Sequence, residues 1–267
     1  MAPRHSNRKS PRSRPGLHWL EWGAELAGTA LLLAVGLSAV CLDFGPGSPV
    51  RQFIPSASMR LLVTGLVFAG TGSLFALSPL GRRSGAHLNP AVTFAFWLRG
   101  KVHHHDLGGY VVAQVVGAGL GAALVALLWG PTARAVDYGS TVPGSGISPL
   151  VAALIEAAMA ALLVGVIMTM LSSMRTARWT PLVVWLLVAT LVWQGARFTG
   201  TGLNPARSLW PNLLGGNLGV YWVYLVGPLA GAAVAIGVSK LVPGHQGPLT
   251  AKMFHDPSYP SVFDTVM

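Results

Sequence analysis

Six apolar runs alternate with short polar stretches along the chain, at about 19–42, 58–79, 107–130, 148–172, 179–198 and 217–240. Each has about the 20 residues that a helix needs to cross a hydrocarbon core. The pattern predicts an all-α membrane protein with six transmembrane helices. Two polar turns interrupt it. LNPA occurs at 88–91 and again at 203–206, an offset of 115 residues between Asn89 and Asn204. Each turn lies between full spans and is followed by only about ten helix-compatible residues, 90–99 and 205–214. Ten residues of helix cover about 15 Å, half the core, so these segments enter and return rather than cross. Three full spans separate the copies, and an odd number of crossings reverses sidedness. The expectation is an inverted 3+3 repeat with two re-entrant half-helices meeting at the centre. Irregular backbone at that depth is tolerable only where it is buried in protein or lines a water-filled cavity.

Asn-Pro-Ala suits such a meeting point. Asn is a preferred N-cap, and Pro is preferred at N1, where no backbone donor is required. Asn89 therefore caps the helix that begins Pro90-Ala91, and Asn204 the one that begins Pro205-Ala206. The side-chain NH₂ groups are expected to donate into a lumen. Both positive dipole ends point at the same spot.

Composition agrees. The chain is 52% hydrophobic and 10% charged, against about 25% charged in soluble domains. One channel-like domain is expected over 17–242, with halves at about 17–130 and 148–242. The tails at 1–16 and 243–267 are rich in Pro, Ser and charge, and are expected to be disordered or loosely attached. The net charge of +10 would suit nucleic acid, but its placement does not. Thirteen of the 18 Lys and Arg fall on the side that holds the N-terminus; Arg51, Arg60, Arg134, Arg197 and Arg207 fall on the other. The excess predicts cytoplasmic N- and C-termini in a multi-pass protein of the cell membrane, without a nucleic-acid partner. The basic tail could also touch anionic lipid. The single cysteine, Cys41, reads as a small core residue.

SGAHLNPAVT at 84–93, GTGLNPARS at 200–208 and YLVGPLAGA at 224–232, with Glu25 and Glu156 in the first span of each half, resemble the aquaporin (major intrinsic protein) family over about residues 19–242. The resemblance implies one pore per subunit, usually a homotetramer, and passive passage of water or small neutral solutes with protons and ions excluded. It places Arg207 at a selectivity filter. By the family's spacing the other filter positions are Ala69, Val192 and Thr201. Ala and Val stand where water-selective members carry Phe and His. Ser208 stands where glycerol channels carry Asp. The Ala-Val-Thr-Arg set, with Tyr224-Leu225, looks more like plant nodulin-26-like channels that pass boric acid. The alternatives are a strictly water-selective channel and a non-conducting structural member of the same fold.

Intramembrane carboxylates are expensive and usually functional. Glu25 and Glu156 could relay protons. The resemblance favours a structural role, in which each accepts N–H groups of the loop leading to LNPA, with His87 packed in the same loop. HHHD at 103–106 could bind metal or sense pH, but is expected to be a solvated loop. Arg197 could line a vestibule or sit at lipid headgroups. The pairs Ala24/Gly28, Gly117/Gly121 and Gly227/Gly231 are expected to let helices approach closely. No metal, cofactor or enzymatic residue set is expected.

Overall fold

The computed structural model describes residues 16–241, 247–256, 258–259 and 261–263. The basic N-terminal stretch before residue 16 lies outside them. Six long helices have the length and apolarity to cross a membrane. They are α1 (Trp19–Phe44), α2 (Ala57–Leu77), α4 (His104–Trp129), α5 (Pro149–Met170), α6 (Thr180–Thr199) and α8 (Tyr221–Leu241). Two short ones intervene where the LNPA turns predicted them, α3 (Pro90–Leu98) and α7 (Pro205–Leu214).

The packing repeats. α1 lies on α4 as α5 lies on α8, and α2 packs on α6 between the halves. The small residues set the spacing. A Cβ at Gly117 or Gly121 would overlap the carbonyl of Leu26 or Ala30 on α1. One at Gly231 would overlap the carbonyl of Ala157 on α5. Gly28 instead makes room for Phe75 and Leu88. Leu120, Leu127, Leu128 and Leu154 stay exposed on the outside, as expected of a wall that faces lipid tails.

Chain direction follows. The starts of α1 and α4 share one end of the bundle, tied by Trp22 Nε1 donating to Asp106 Oδ1 at 3.0 Å. α3 starts at the centre and returns to that end. α7 starts at the centre and returns to the other, where Gly144 N donates to Phe198 O at 2.8 Å.

The C-terminal segment departs from expectation. Its described residues pack back on the end where α1 begins. Leu249 N donates to Leu171 O at 2.8 Å, and Met253 N to Gly85 O at 2.9 Å. Ala251, Met253 and Phe263 are buried. The composition looked loose, but three apolar side chains spaced along a polar segment are enough to anchor it. HHHD also departs. His103 is the N-cap position of α4, and His104 to Asp106 form its first turn. Cys41 is buried and free, as expected.

Candidate pore

Each LNPA turn is a helix cap. Asn89 Oδ1 accepts from Ala91 N at 2.8 Å. Asn204 Oδ1 accepts from Ala206 N at 3.0 Å and Arg207 N at 3.3 Å. Pro90 and Pro205 occupy the first helical positions, where their missing donors cost nothing. The two turns also bind each other. Asn89 Nδ2 donates to Leu203 O at 3.0 Å, and Asn204 Nδ2 to Leu88 O at 2.7 Å. This corrects the expectation that both NH₂ groups are free. One N–H of each amide holds the opposite loop. The other remains for the cavity, which both Asn side chains line.

The loops that carry these caps are strained in the same way. Gly85, Ala86 and Leu88 have positive φ, and so do Gly200, Thr201 and Leu203, each pair 115 residues apart. Left-handed backbone costs a non-glycine residue about 1–2 kcal/mol. A buried carboxylate holds each loop in that shape. Glu25 accepts from Ser84 Oγ (2.7 Å), His87 N (3.0 Å), Leu88 N (2.7 Å) and Gln114 Nε2 (2.8 Å). Glu156 accepts from Thr199 Oγ1 (2.7 Å), Gly202 N (2.8 Å) and Leu203 N (2.7 Å). Hydrogen bonds to a charged group contribute about 1.5–3 kcal/mol each, so three or four outweigh two left-handed residues. Tyr110 Oη donates to Ser84 O at 2.6 Å and Tyr224 Oη to Thr199 O at 2.7 Å, completing the pair of cradles. Tyr224 therefore lies behind its loop rather than in the cavity wall.

A cavity of about 470 Å³ passes the meeting point. Its wall includes all four residues expected at the filter, Ala69, Val192, Thr201 and Arg207, as well as His87. Arg207 Nη1 donates to Gly139 O at 2.9 Å, and its guanidinium lies 5.2 Å from the Phe68 ring centroid. These two contacts fix the cation's position. Phe68, beside Ala69, also lines the cavity and escaped the sequence analysis, because the family spacing singles out its neighbour. Arg197 is exposed against the Phe198 ring, 4.5 Å from its centroid, and is not part of the wall.

The C-terminal segment joins the wall at the opposite end from Arg207. His87 Nε2 donates to Ala251 O at 2.7 Å, and the His87 ring stacks on Phe96 at 4.7 Å. Gly85 accommodates both its φ of 97° and the close passage of Ala251, whose carbonyl a Cβ would meet. Met253, two residues on from Ala251 in the same segment, lines the cavity.

Comparison with known proteins agrees with this geometry. The profile of the Major intrinsic protein family matches residues 15–238. The chain belongs to that family. It is 37% identical over 229 residues to a probable aquaporin AqpM of Archaeoglobus fulgidus, covering 79% of this chain and 92% of the relative. It is 30% identical over 220 residues to aquaporin NIP1-1 of Zea mays, covering 82% of this chain and 73% of the relative. The solved structure of the aquaglyceroporin from Plasmodium falciparum superposes with a TM-score of 0.67 at 22% identity, over 84% of this chain and 96% of that one. That likeness speaks for the fold. A major intrinsic protein needs the six helices and the paired half-helices seen here, and the cradled loops explain how a polar backbone survives at their centre.

Proposed function

We propose that this passive channel passes water together with neutral solutes of glycerol or boric-acid size, and rejects protons and ions. The observation that carries the proposal is the wall beside Arg207, where Ala69 and Val192 supply small apolar surface instead of a ring and an imidazole. An apolar wall suits a solute's less polar face. Hydrogen bonds from Arg207 replace part of its hydration on the other side. At the centre, the free N–H groups of Asn89 and Asn204 donate to a passing water. That water's hydrogens then point away from the centre in both directions, which breaks a proton wire. The positive ends of α3 and α7, aimed at the same spot, raise the barrier to cations. Both termini are assigned to the cytoplasm of a cell-membrane protein, and the assembly to a homotetramer with one pore in each copy, to be counted by cross-linking in mild detergent.

A second possibility is a strictly water-selective pore. Phe68 favours it, since its ring holds the Arg207 guanidinium and narrows the same level of the cavity. Liposome swelling with water, glycerol, urea and boric acid separates the two. The wide pore predicts solute flux in the wild type, and the double variant Ala69→Phe with Val192→His should cut it far more than water flux. Exclusion of every solute by the wild type, or equal loss of both fluxes in the variant, supports the water-only pore.

A further inference from the structure

Where α1 and α4 begin, three metal-ligating side chains converge that the pore does not use. His18 comes from the residue before α1, 88 positions from Asp106 in the chain, and its Nδ1 lies 2.9 Å from Asp106 Oδ1 and 3.0 Å from Oδ2. His105 Nε2 lies 3.3 Å from the same Oδ2. One donor atom from each of the three falls within 4.8 Å of the others. The sequence expectation of no metal rested on HHHD alone, where neighbours in the chain seldom converge as ligands. The fold adds a ligand from the residue before α1 to the adjacent pair His105 and Asp106.

Three details favour an ion over a simple polar contact. First, His105 Nε2 is buried yet makes no hydrogen bond. Its approach to Asp106 puts it at the right distance without hydrogen-bond geometry. A buried imidazole nitrogen without a hydrogen bond is costly, and a lone pair aimed at a metal position explains it. Second, the carboxylate is held from outside the cluster. Oδ1 accepts from Trp22 Nε1 at 3.0 Å, which orients the group as outer partners of metal ligands commonly do. His18 Nδ1 faces both oxygens, and His105 Nε2 approaches Oδ2. Third, two of the three spacings are near those of a bound set. Ligands at about 2.0–2.1 Å from a tetrahedral ion stand about 3.3 Å apart. Asp106 Oδ2 lies 3.0 Å from His18 Nδ1 and 3.3 Å from His105 Nε2, and the two histidine nitrogens, within 4.8 Å of each other, would close on the ion.

Two imidazole nitrogens and one carboxylate oxygen suit Zn²⁺ and its neighbours rather than Mg²⁺, which prefers six oxygens in an octahedron. Access is open, because the side chains of His18 and His105 are 20% and 33% exposed while Asp106 is buried. His104 is turned away, its Nδ1 accepting from Trp97 Nε1 at 2.9 Å. Phe263 of the C-terminal segment meets the His18 ring edge-on, 6.5 Å between centroids.

We propose that His18, His105 and Asp106 form a binding site for a Zn²⁺-class transition metal, which fastens the start of α1 to the start of α4. The test is calorimetric titration of the purified full-length chain with Zn²⁺, with Mg²⁺ as a second probe. One saturable Zn²⁺ per chain is expected, with no comparable Mg²⁺ uptake. His18→Gln and His105→Gln should each weaken it at least about tenfold, and His104→Gln should leave it unchanged. Zn²⁺ should also raise the melting temperature of the wild type in a concentration-dependent way, and should not do so in the two variants. Water flux in liposomes checks that the variants fold. Co²⁺ on the wild type gives a readout independent of any variant, the strong visible absorption of a four-coordinate site. No saturable Zn²⁺ uptake, equal affinity for Mg²⁺, undiminished affinity in both histidine variants, or the weak spectrum of six-coordinate Co²⁺ would each overturn the assignment.

Discussion

The two LNPA loops share a frame and differ in what they carry. Glu25 and Glu156, Ser84 and Thr199, Tyr110 and Tyr224 match across the repeat, and so do the left-handed residues they hold. Yet 115 positions along from Val92, His87 and Ala86 stand Arg207, Gly202 and Thr201. The first loop carries a histidine that binds the C-terminal segment. The second carries the fixed cation. The frame is thus the duplicated part, and the chemistry lies in residues that broke the duplication. A channel built this way has two similar loops that present different side chains to its cavity.

Removing a cradle should have the largest effect. Glu156→Ala leaves Gly202 N, Leu203 N and Thr199 Oγ1 without their acceptor, in a buried site. Each unsatisfied group costs about 1–3 kcal/mol, so a loss of roughly 4 kcal/mol or more is expected, together with collapse of the left-handed turn. Folded yield and melting temperature in detergent measure it. Glu25→Ala should behave alike, since its cradle holds as many backbone donors. A mild effect in one half only would show that the halves do not share a frame.

Next comes the residue that differs most. Arg207→Val gives the second loop what the first has at Val92. The cradle is untouched, so the fold should hold. Burying one fixed charge fewer should open the pore to protons and cations, while water flux stays within a few-fold of the wild type. Proton leak in liposomes with an internal pH dye is the measurement, and an unchanged leak counts against Arg207 as the barrier.

Much of this frame was legible in the sequence. LNPA occurs twice, Asn and Pro have well-defined places at helix starts, and an odd number of spans between the copies fixes the inversion. Glu25 and Glu156 could be placed as loop supports through the family resemblance, with loop N–H groups at that depth in need of partners. Their partners were not legible from those motifs. Tyr110 and Ser84 would have been found by extending the repeat, since Tyr224 lies 114 residues after Tyr110 and Thr199 lies 115 after Ser84. Other contacts leave no periodic trace. Phe68 under Arg207, Gly139 as its acceptor, and His18 beside Asp106 are long-range pairs between unrelated stretches. The C-terminal segment was misjudged because its composition is polar, whereas three buried apolar side chains and two backbone hydrogen bonds hold it.

That segment gives a third, smaller test of the difference between the ends. Met253 occupies the cavity wall on the His87 side, with no counterpart beside Gly202 among the described residues. Met253→Ala should widen that end only. The cost should stay near about 2 kcal/mol, the low end for a buried Met→Ala change, because the side chain borders open space. Water permeability should rise, and solute selectivity should not change, since Ala69, Val192 and Arg207 lie elsewhere in the wall. Stopped-flow swelling reads both. A fall in permeability, or altered selectivity, would mean that Met253 shapes more than its own end.

The smallest effect expected is a pH dependence confined to the same segment. Asp256 is held below the usual carboxylate range, first by the Ser258 hydroxyl and backbone N–H and then by Arg82. Arg82 Nη1 donates to Asp256 Oδ2 at 2.8 Å, and its guanidinium lies 5.2 Å from the Phe254 ring centroid. A depressed folded pKa means that the contribution is present above the unfolded value and fades as pH falls through the folded one. The clasp should therefore be intact at neutral pH and loosen in the acid range below about 4. A single partly buried pair near the surface contributes little to global stability, so the melting temperature is the wrong probe. Hydrogen exchange at Met253 N, bonded to Gly85 O, is the right one. Beyond the ordinary pH dependence of exchange, its protection should drop on acidification in the wild type. Asp256→Asn should have the lower protection already at neutral pH and show little further change, while amides of the Glu156 cradle stay protected in both. Equal acid sensitivity of Met253 N in the wild type and in Asp256→Asn would mean that the backbone bonds and Ala251 hold the segment without Arg82.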